Sequence, residues 1–310
     1  MRILLHRADD SAAAWADELR ALLPEAEVLV WTEAGAHAPC DYAVLWSPPP
    51  PMVPELAHVK AIFLTAAGAD ALLKFGDVLP PTIPVVRLGD AGMGIQMAEY
   101  VTYAVLRHFR RFDEYETQAR SGLWAPLPPR DKQAFTIGVL GMGQLGGRVL
   151  EALRPFGFPL RGWSRSPKTI DGVDCYAGAD GLDQFLRGSQ VLVNLLPLTP
   201  DTSNLLDRRN LGKLPEQAYL INVGRGAHVA EPDLLALIKS GRLAGATLDV
   251  FRNEPLPAQH PFWQEPRISI TPHVSALTLR RESLRQIAGK LRQFDAGQPV
   301  ADVVDRDLGY

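Results

Sequence analysis

The stretch Phe135-Thr136-Ile137-Gly138-Val139-Leu140-Gly141-Met142-Gly143-Gln144-Leu145-Gly146 passes from an apolar strand pattern directly into G-x-G-x-x-G, and a helical pattern follows from Gly147 to Leu153. Strand, glycine turn and helix in that order are what a nucleotide-binding βα unit requires. Gly141 permits the tight turn, Gly143 lets the backbone approach a pyrophosphate, and Gly146 lets the helix pack close to the strand. The helix N-terminus adds N–H groups that attract phosphate. Without its flanks the motif is only a glycine-rich turn. With them, Gly141, Met142, Gly143, Gln144, Leu145 and Gly146 read as the cofactor-binding residues of a dinucleotide site.

The next strand pattern, Leu160 to Trp163, bears on which dinucleotide. A site for NAD places an acidic residue about 20 residues after the glycines, where a carboxylate accepts the ribose hydroxyls and repels a 2′-phosphate. Here the strand runs into Ser164-Arg165-Ser166-Pro167-Lys168, which contains no acid. Two hydroxyls and two cations suit a dianion, because arginine grips phosphate oxygens bidentately. Ser164, Arg165, Ser166 and Lys168 are therefore expected to read NADP in preference to NAD, with NAD still possible; a solvated basic turn is the plainer alternative.

Outward from this unit, short apolar runs alternate with helical patterns along the whole chain. Toward the start, strand patterns lie at Ile3 to His6, Val28 to Trp31, Tyr42 to Trp46, Ala61 to Thr65 and Val85 to Leu88, with helical patterns at Ala12 to Leu23, Pro54 to Val59 and Asp70 to Phe75. Pro48 to Pro51 reads as a surface loop or a plain turn. Toward the end, strand patterns lie near Val191 to Leu195, Tyr219 to Val223, Thr247 to Val250 and Ile268 to Thr271, before a helical run from Thr278 to about Phe294. Such alternation predicts parallel sheets with helices on both faces. One long helix is expected from Ile95 to about Arg120, its second half heavily charged, bridging two domains. The expected architecture is two α/β lobes of Rossmann or flavodoxin type. A dinucleotide-binding lobe (100–276) is inserted into a substrate lobe built from 1–99 and 277–310, with the site in the cleft between them.

Composition narrows the class. At 310 residues, 46% of them hydrophobic, the chain can bury two cores, and a formal charge of -3 without a basic block gives no footprint for nucleic acid or an anionic membrane. No apolar run approaches the roughly 18 residues of a membrane helix, and the start lacks a signal-peptide core. Cys40 and Cys175 are too few for a disulfide framework and are not spaced for a metal, so no metal is expected and the cytoplasm is the predicted compartment. A small-molecule site is what remains.

Three further segments break from apolar strands, where open α/β sheets bind ligands. They are Ile221-Asn222-Val223-Gly224-Arg225-Gly226, Asp249-Val250-Phe251-Arg252-Asn253-Glu254-Pro255-Leu256-Pro257 and Thr271-Pro272-His273-Val274-Ser275-Ala276. Reducing a 2-keto acid needs a cation for the carboxylate, a proton donor for the carbonyl oxygen and a group that keeps the donor protonated and oriented. Arg225, His273 and Glu254 supply these as catalytic candidates, since a neighbouring carboxylate raises a histidine pKa and fixes its ring. Singly, each admits a structural role: a surface ion pair for Arg225, a helix-start acid for Glu254, a capping or core histidine for His273. Behind a dinucleotide loop the set is harder to explain that way.

With these motifs in order, the sequence resembles the D-isomer-specific 2-hydroxyacid dehydrogenase family, and within it the glyoxylate/hydroxypyruvate reductase A branch, over nearly the whole chain. The resemblance rests on GMGQLG at 141–146, LLPLTPDT at 195–202, NVGRG at 222–226, DVFRNEPLP at 249–257, TPHVSA at 271–276, MAEYV at 97–101 and WSRSPK at 163–168. It implies Arg225 as the substrate-binding arginine and His273, partnered by Glu254, as the acid/base. It further implies Leu196, Pro197 and Thr202 along the cofactor, Val223 and Asp249 at its nicotinamide end, and backbone N–H groups of the Ala66-Ala67-Gly68-Ala69-Asp70 turn on the substrate carboxylate. Ala67, Gly68, Arg225 and His273 are thus substrate-binding candidates. Trp46 and Trp263 are candidate pocket walls, though aromatics after strands are more often core.

The expected activity is NADPH-dependent reduction of small 2-keto acids such as glyoxylate and hydroxypyruvate, by a homodimer formed through the long helix. A dinucleotide-sensing binding protein of the same fold is the rival from another class, disfavoured by the complete Arg225, Glu254 and His273 set. A dehydrogenase of another small anion, such as formate or phosphite, is the rival within enzymes.

Overall fold

The computed structural model describes residues 1–35 and 37–310, which divide into two compact units: Met1–Gly92 with Thr278–Tyr310, and Met93–Leu277. The chain thus leaves the first unit, builds the second and returns, as the inserted-lobe reading expects. The first boundary falls where a helix begins at Met93, ahead of the 99/100 break read from the sequence.

In the first unit, β1 (Arg2–Arg7), α1 (Ala12–Leu22), β2 (Glu27–Val30), β3 (Tyr42–Trp46), β4 (Ala61–Leu64), α2 (Asp70–Leu73) and β5 (Val85–Val86) follow in order. Every strand pairing is parallel, in the order β2-β1-β3-β4-β5, so the sheet changes direction of growth between β1 and β3. Pro50 and Pro51 do not lie in a surface loop as the sequence suggested. They open a 3-10 helix, Pro50–His58, that buries Met52, Val53 and Leu56. Proline is suited there because the first helical N–H groups lack intrahelical partners anyway.

The second unit contains α3 (Met93–Phe109), α4 (Phe112–Arg120), β6 (Ile137–Leu140), α5 (Gln144–Leu153), β7 (Leu160–Ser164), β8 (Asp174–Ala177), α6 (Gly178–Arg187), β9 (Val191–Asn194), α7 (Arg208–Leu211), β10 (Ala218–Asn222), α8 (Glu231–Lys239), β11 (Leu243–Leu248) and β12 (Ile268–Ile270). Its sheet is parallel throughout, in the order β12-β11-β10-β9-β6-β7-β8, with the reversal between β6 and β9. β6, β9 and β10 are buried along their full length, which is why they read as apolar runs rather than alternating ones. Because the strands are parallel, the loops after β6, β9, β10, β11 and β12 leave one edge of the sheet, and these loops carry the motifs.

The long helix expected from Ile95 to Arg120 is two helices. Arg111 adopts a left-handed conformation with φ 62°, and its guanidinium donates to both Glu114 carboxylate oxygens at 2.9 and 2.8 Å and to the Pro128 carbonyl at 3.0 Å. These bonds hold the break. Charge on the second half, expected on a helix that bridges two domains, fastens α4 back on α3, as in the bidentate Arg107 to Glu116 pair. The chain returns to the first unit as α9 (Arg280–Asp295), which packs on α1 and pairs Arg292 with Glu25 and Arg280 with Glu18.

Candidate active site

The turn carrying His273 is built by Asp249, the fully buried residue that follows β11. One Asp249 carboxylate oxygen accepts from the Thr271 hydroxyl at 2.6 Å and the Val274 N–H at 2.8 Å, the other accepts from the Ser275 N–H at 2.8 Å, and its backbone carbonyl accepts from the His273 N–H at 2.8 Å. Thr271 spends its proton on Asp249, so it accepts from the Tyr100 hydroxyl of α3, 2.5 Å away. This scaffold holds His273 at φ 56°, a left-handed conformation that a histidine rarely adopts unsupported. Asp249, expected at the nicotinamide end of a cofactor, has both carboxylate oxygens engaged in positioning this turn.

His273 Nδ1 lies 2.7 Å from a Glu254 oxygen. Burial works to raise the Glu254 carboxyl, but the hydrogen bond from His273 and that from the Phe251 N–H, with the charges of His273 and Arg225, hold it below its ordinary value of 4.5. Glu254 is therefore a carboxylate that accepts the Nδ1 proton, and Nε2 is the ring nitrogen left for other chemistry. Both side chains keep access to solvent, His273 at 47% and Glu254 at 36%. Glu254 does not start a helix; it accepts from Phe251 within an irregular loop. Among the charges acting on Glu254 is that of Arg225, the third expected residue. Arg225 is half-buried, with one guanidinium nitrogen on the Gly224 carbonyl at 2.9 Å.

The three motif glycines have three different reasons. Gly141 sits at φ +101°, and a Cβ there would also stand 2.8 Å from the Leu195 carbonyl oxygen; a Cβ on Gly146 would stand 1.8 Å from the Gly141 oxygen. Gly143 differs: nothing lies within 4 Å of where its Cβ would be. That space at the start of α5 is open, a cradle that a side chain would fill. Met142 contributes only its backbone to the loop, since its side chain is buried in the core against Gly162. Gln144 is exposed, and Leu145 is half-buried at the edge of that core. Lys168 reaches back to donate to the Met142 carbonyl at 2.7 Å, Ser164 donates to the Ser166 carbonyl at 2.7 Å, and Arg165 and Ser166 are exposed beside them.

The remaining expected residues divide by exposure. The side chains of Leu196 and Val223 are buried in the core, while the Thr202 hydroxyl donates to the Pro197 carbonyl at 2.8 Å and shapes the turn between them. In the first unit, Ala67 and Gly68 lie half-buried in the turn between β4 and α2. Trp46 ends β3 at 37% exposure with the Arg7 guanidinium 4.9 Å from its ring; Trp15 lies on the same guanidinium at 4.2 Å. Arg7 also donates to Thr65 at 3.0 Å and holds the Asp9 carboxyl well below the usual carboxylate range. Trp263 is exposed, its indole N–H on the Pro257 carbonyl at 3.0 Å.

With this geometry in hand, relatives are informative. A family model described as D-isomer specific 2-hydroxyacid dehydrogenase, NAD binding domain, matches residues 102–275. A glyoxylate/hydroxypyruvate reductase A of Serratia proteamaculans is 46% identical over 314 residues, covering 100% of both chains. The chain belongs to the D-isomer specific 2-hydroxyacid dehydrogenase family. Among solved members of this dehydrogenase family, one from Xanthobacter autotrophicus Py2 in complex with NADPH and MES has a TM-score of 0.94 at 38% identity, covering 100% of this chain and 99% of that one. An NADPH-dependent glyoxylate/hydroxypyruvate reductase of Sinorhizobium meliloti in complex with NADP and sulfate has a TM-score of 0.91 at 34% identity, with 100% and 99% covered.

Reading this dehydrogenase from sequence overlooked the residues that hold its loops: Asn194, Asn222, His228, Thr271 and Tyr100. Two were signalled. β9 and β10 are apolar runs that each end in asparagine, and a buried amide at the end of a buried strand must find partners.

Proposed function

We propose that this chain reduces small 2-keto acids with NADPH, glyoxylate to glycolate and hydroxypyruvate to D-glycerate. The observation that carries the reading is the His273–Glu254 pair with the charge of Arg225 beside it, at the carboxyl edge of the sheet that bears the glycine loop. Arg225 holds the substrate carboxylate and draws on the carbonyl oxygen. His273, its Nδ1 proton kept by ionised Glu254, gives a proton from Nε2 to that oxygen as it gains charge. A bound reduced nicotinamide supplies the hydride that the keto carbon receives. On return to the imidazolium form, His273 takes its proton from solvent, to which it is open.

The chain fits such a cofactor. The open space at Gly143, the exposed start of α5 and the acid-free turn with Ser164, Arg165, Ser166 and Lys168 would hold the pyrophosphate and a 2′-phosphate. Leu196, Pro197, Thr202 and Val223 would flank it through their backbone and turn. NADPH is favoured over NADH, in keeping with the NADPH and NADP complexes of the Xanthobacter and Sinorhizobium relatives. Met93–Leu277 would be the dinucleotide-binding unit, with Trp46, Ala67 and Gly68 as further candidates for substrate recognition. The substrates proposed are those for which the Serratia and Sinorhizobium relatives are named.

We further propose a homodimer through the apolar side chains exposed on and after α3 and α4, namely Ile95, Tyr103, Phe112, Leu123 and Trp124, the last 98% exposed. Light scattering that gives one chain's mass at working concentration would remove this claim. No helix is long and apolar enough to cross a membrane among the described residues, and the cytoplasm is the compartment that a reducing, NADPH-linked reaction suits.

The test is product identity. Incubation with NADPH should turn hydroxypyruvate into D-glycerate on chiral chromatography, together with glycolate from glyoxylate. Formation of L-glycerate, or tight NADPH binding with no product from either acid, would contradict the reading and favour a sensor of the cofactor.

A further inference from the structure

Asn194, Asn222 and His228 are fully buried, the first two ending β9 and β10 and the third closing the 3-10 turn Gly226–His228. None has a role in the chemistry derived above, and a buried polar cluster of this kind is kept only if its members satisfy one another. Their bonds converge on the backbone of one residue, Arg225. The Arg225 N–H donates to His228 Nδ1 at 3.2 Å. The Arg225 carbonyl accepts from Asn222 Nδ2 at 3.1 Å and from the His228 N–H at 3.2 Å. Asn194 Nδ2 donates to both Asn222 Oδ1 and His228 Nδ1, each at 2.8 Å. On its far side, His228 Nε2 lies 3.2 Å from the Pro197 carbonyl oxygen.

These contacts fix the state of the ring. A backbone N–H can only donate, so Nδ1 must accept and carries no proton. The single ring proton then sits on Nε2 and is donated to Pro197, whose carbonyl can only accept. A neutral His228 therefore ties the Arg225 peptide to the end of the segment that leaves β9, the strand beside the glycine-loop strand β6. The turn is also pressed on the loop of Glu254: a Cβ on Gly226 would stand 1.8 Å from the Phe251 carbonyl carbon, and the Phe251 N–H is the one that Glu254 accepts.

We propose that His228 is a positioning residue of the keto-acid site. Its Nδ1, as acceptor, sets where the Arg225 backbone stands, and so where the flexible guanidinium meets the substrate carboxylate. This rests on the function proposed above. Small misplacements of a binding group cost far more than the lost bond suggests, because they fall on the geometry of reaction.

Two amide replacements separate the ring's two nitrogens. In His228→Asn the side-chain oxygen stands in for Nδ1, keeping the acceptor and losing the donor; in His228→Gln the amide nitrogen stands in for Nε2, keeping the donor and losing the acceptor. Full-length variants are measured for NADPH affinity by fluorescence, for kcat and KM with glyoxylate, and for Tm. His228→Gln should raise the glyoxylate KM about tenfold, with kcat within about threefold and NADPH affinity within about twofold, while His228→Asn stays within about threefold of wild type in KM. Equal changes in both variants, or a lowered Tm with unchanged KM in both, would overturn the proposal. Should His228→Gln not fold, nitrogen NMR of the wild-type protein labelled in histidine decides the point: a buried ring protonated on Nε2 alone is expected, and a ring protonated on Nδ1 overturns it. Wild-type protein that turns over no keto acid removes the proposed function, and the positioning role with it. Wild-type turnover with an Nδ1-protonated ring removes the positioning role alone.

Discussion

The carboxyl edges of the two parallel sheets are fastened in opposite ways. On the seven-stranded sheet, polar groups that are fully buried, Asn194, Asn222, His228 and Asp249, hold the loops through hydrogen bonds to backbone and to one another. On the five-stranded sheet, the cation Arg7 joins the ends of β1, β3 and β4, lying against Trp15 and Trp46 and donating to Thr65. Fully buried groups bonded on several sides allow one geometry, whereas the Arg7 guanidinium, stacked on two indoles, takes its ion pair from Asp9, a carboxylate that is itself exposed. The first edge suits proton transfer, which needs fixed distances. The second carries Trp46, proposed above for substrate recognition, and differences of one methylene sort substrates by only about 1–3 kcal/mol.

That contrast orders the expected effects of substitution. Replacing His273 by Gln removes the proposed proton donor and should lower kcat with glyoxylate about 10³-fold while leaving NADPH affinity within about twofold, as read by steady-state kinetics and fluorescence titration. Equal losses in both quantities would argue against an acid/base role. Asp249→Ala takes the acceptor from three donors at once, so about 2–4 kcal/mol of stability should be lost in urea unfolding, along with most activity. Glu254→Gln should reduce kcat about 10- to 100-fold, since the ring loses the carboxylate that accepts its Nδ1 proton. Trp46→Ala should change kcat/KM for glyoxylate by less than about tenfold, with its main effect on the ratio between glyoxylate and hydroxypyruvate. A Trp46 effect as large as that of His273 would erase the distinction between the two edges.

The Glu254 pair also makes a statement about pH. Its carboxyl is lowered from 4.5 in the folded protein, so the stability it contributes is fully present above that value and is lost as pH falls through the lowered one. Urea unfolding of wild type and Glu254→Gln should therefore differ at neutral pH, keep that difference down to about pH 5, and converge only in more acid solution. A difference that already shrinks near neutrality would contradict an ionised Glu254.

Much of this was legible in the sequence, for physical reasons. Strands buried on both faces, such as Ile137–Leu140 and Val191–Asn194, announce themselves as apolar runs, and the glycine loop marks where the second sheet reverses. The pairing of Glu254 with His273 was within reach of the sequence because both lie in loops that follow strands. The break at Arg111 was hidden, since its left-handed backbone is held by Glu114 and by a carbonyl of Pro128, a partner 17 residues away. Likewise the 3-10 helix at Pro50 hides behind four consecutive prolines, which read locally as a loop although the residues after them are core. The supports of the site were hidden most thoroughly. Asn194 and His228 are 34 residues apart, and only the β9–β10 pairing brings them together.

The most direct measurement is the oxidation of NADPH and of NADH, followed by absorbance, with glyoxylate and hydroxypyruvate as acceptors, for the wild type and for Arg165→Asp. Rapid oxidation of NADPH with either acid by the wild type, shifted toward NADH by the substitution, is the predicted result. Wild-type protein that binds NADPH tightly yet oxidises neither cofactor with either acid would contradict it.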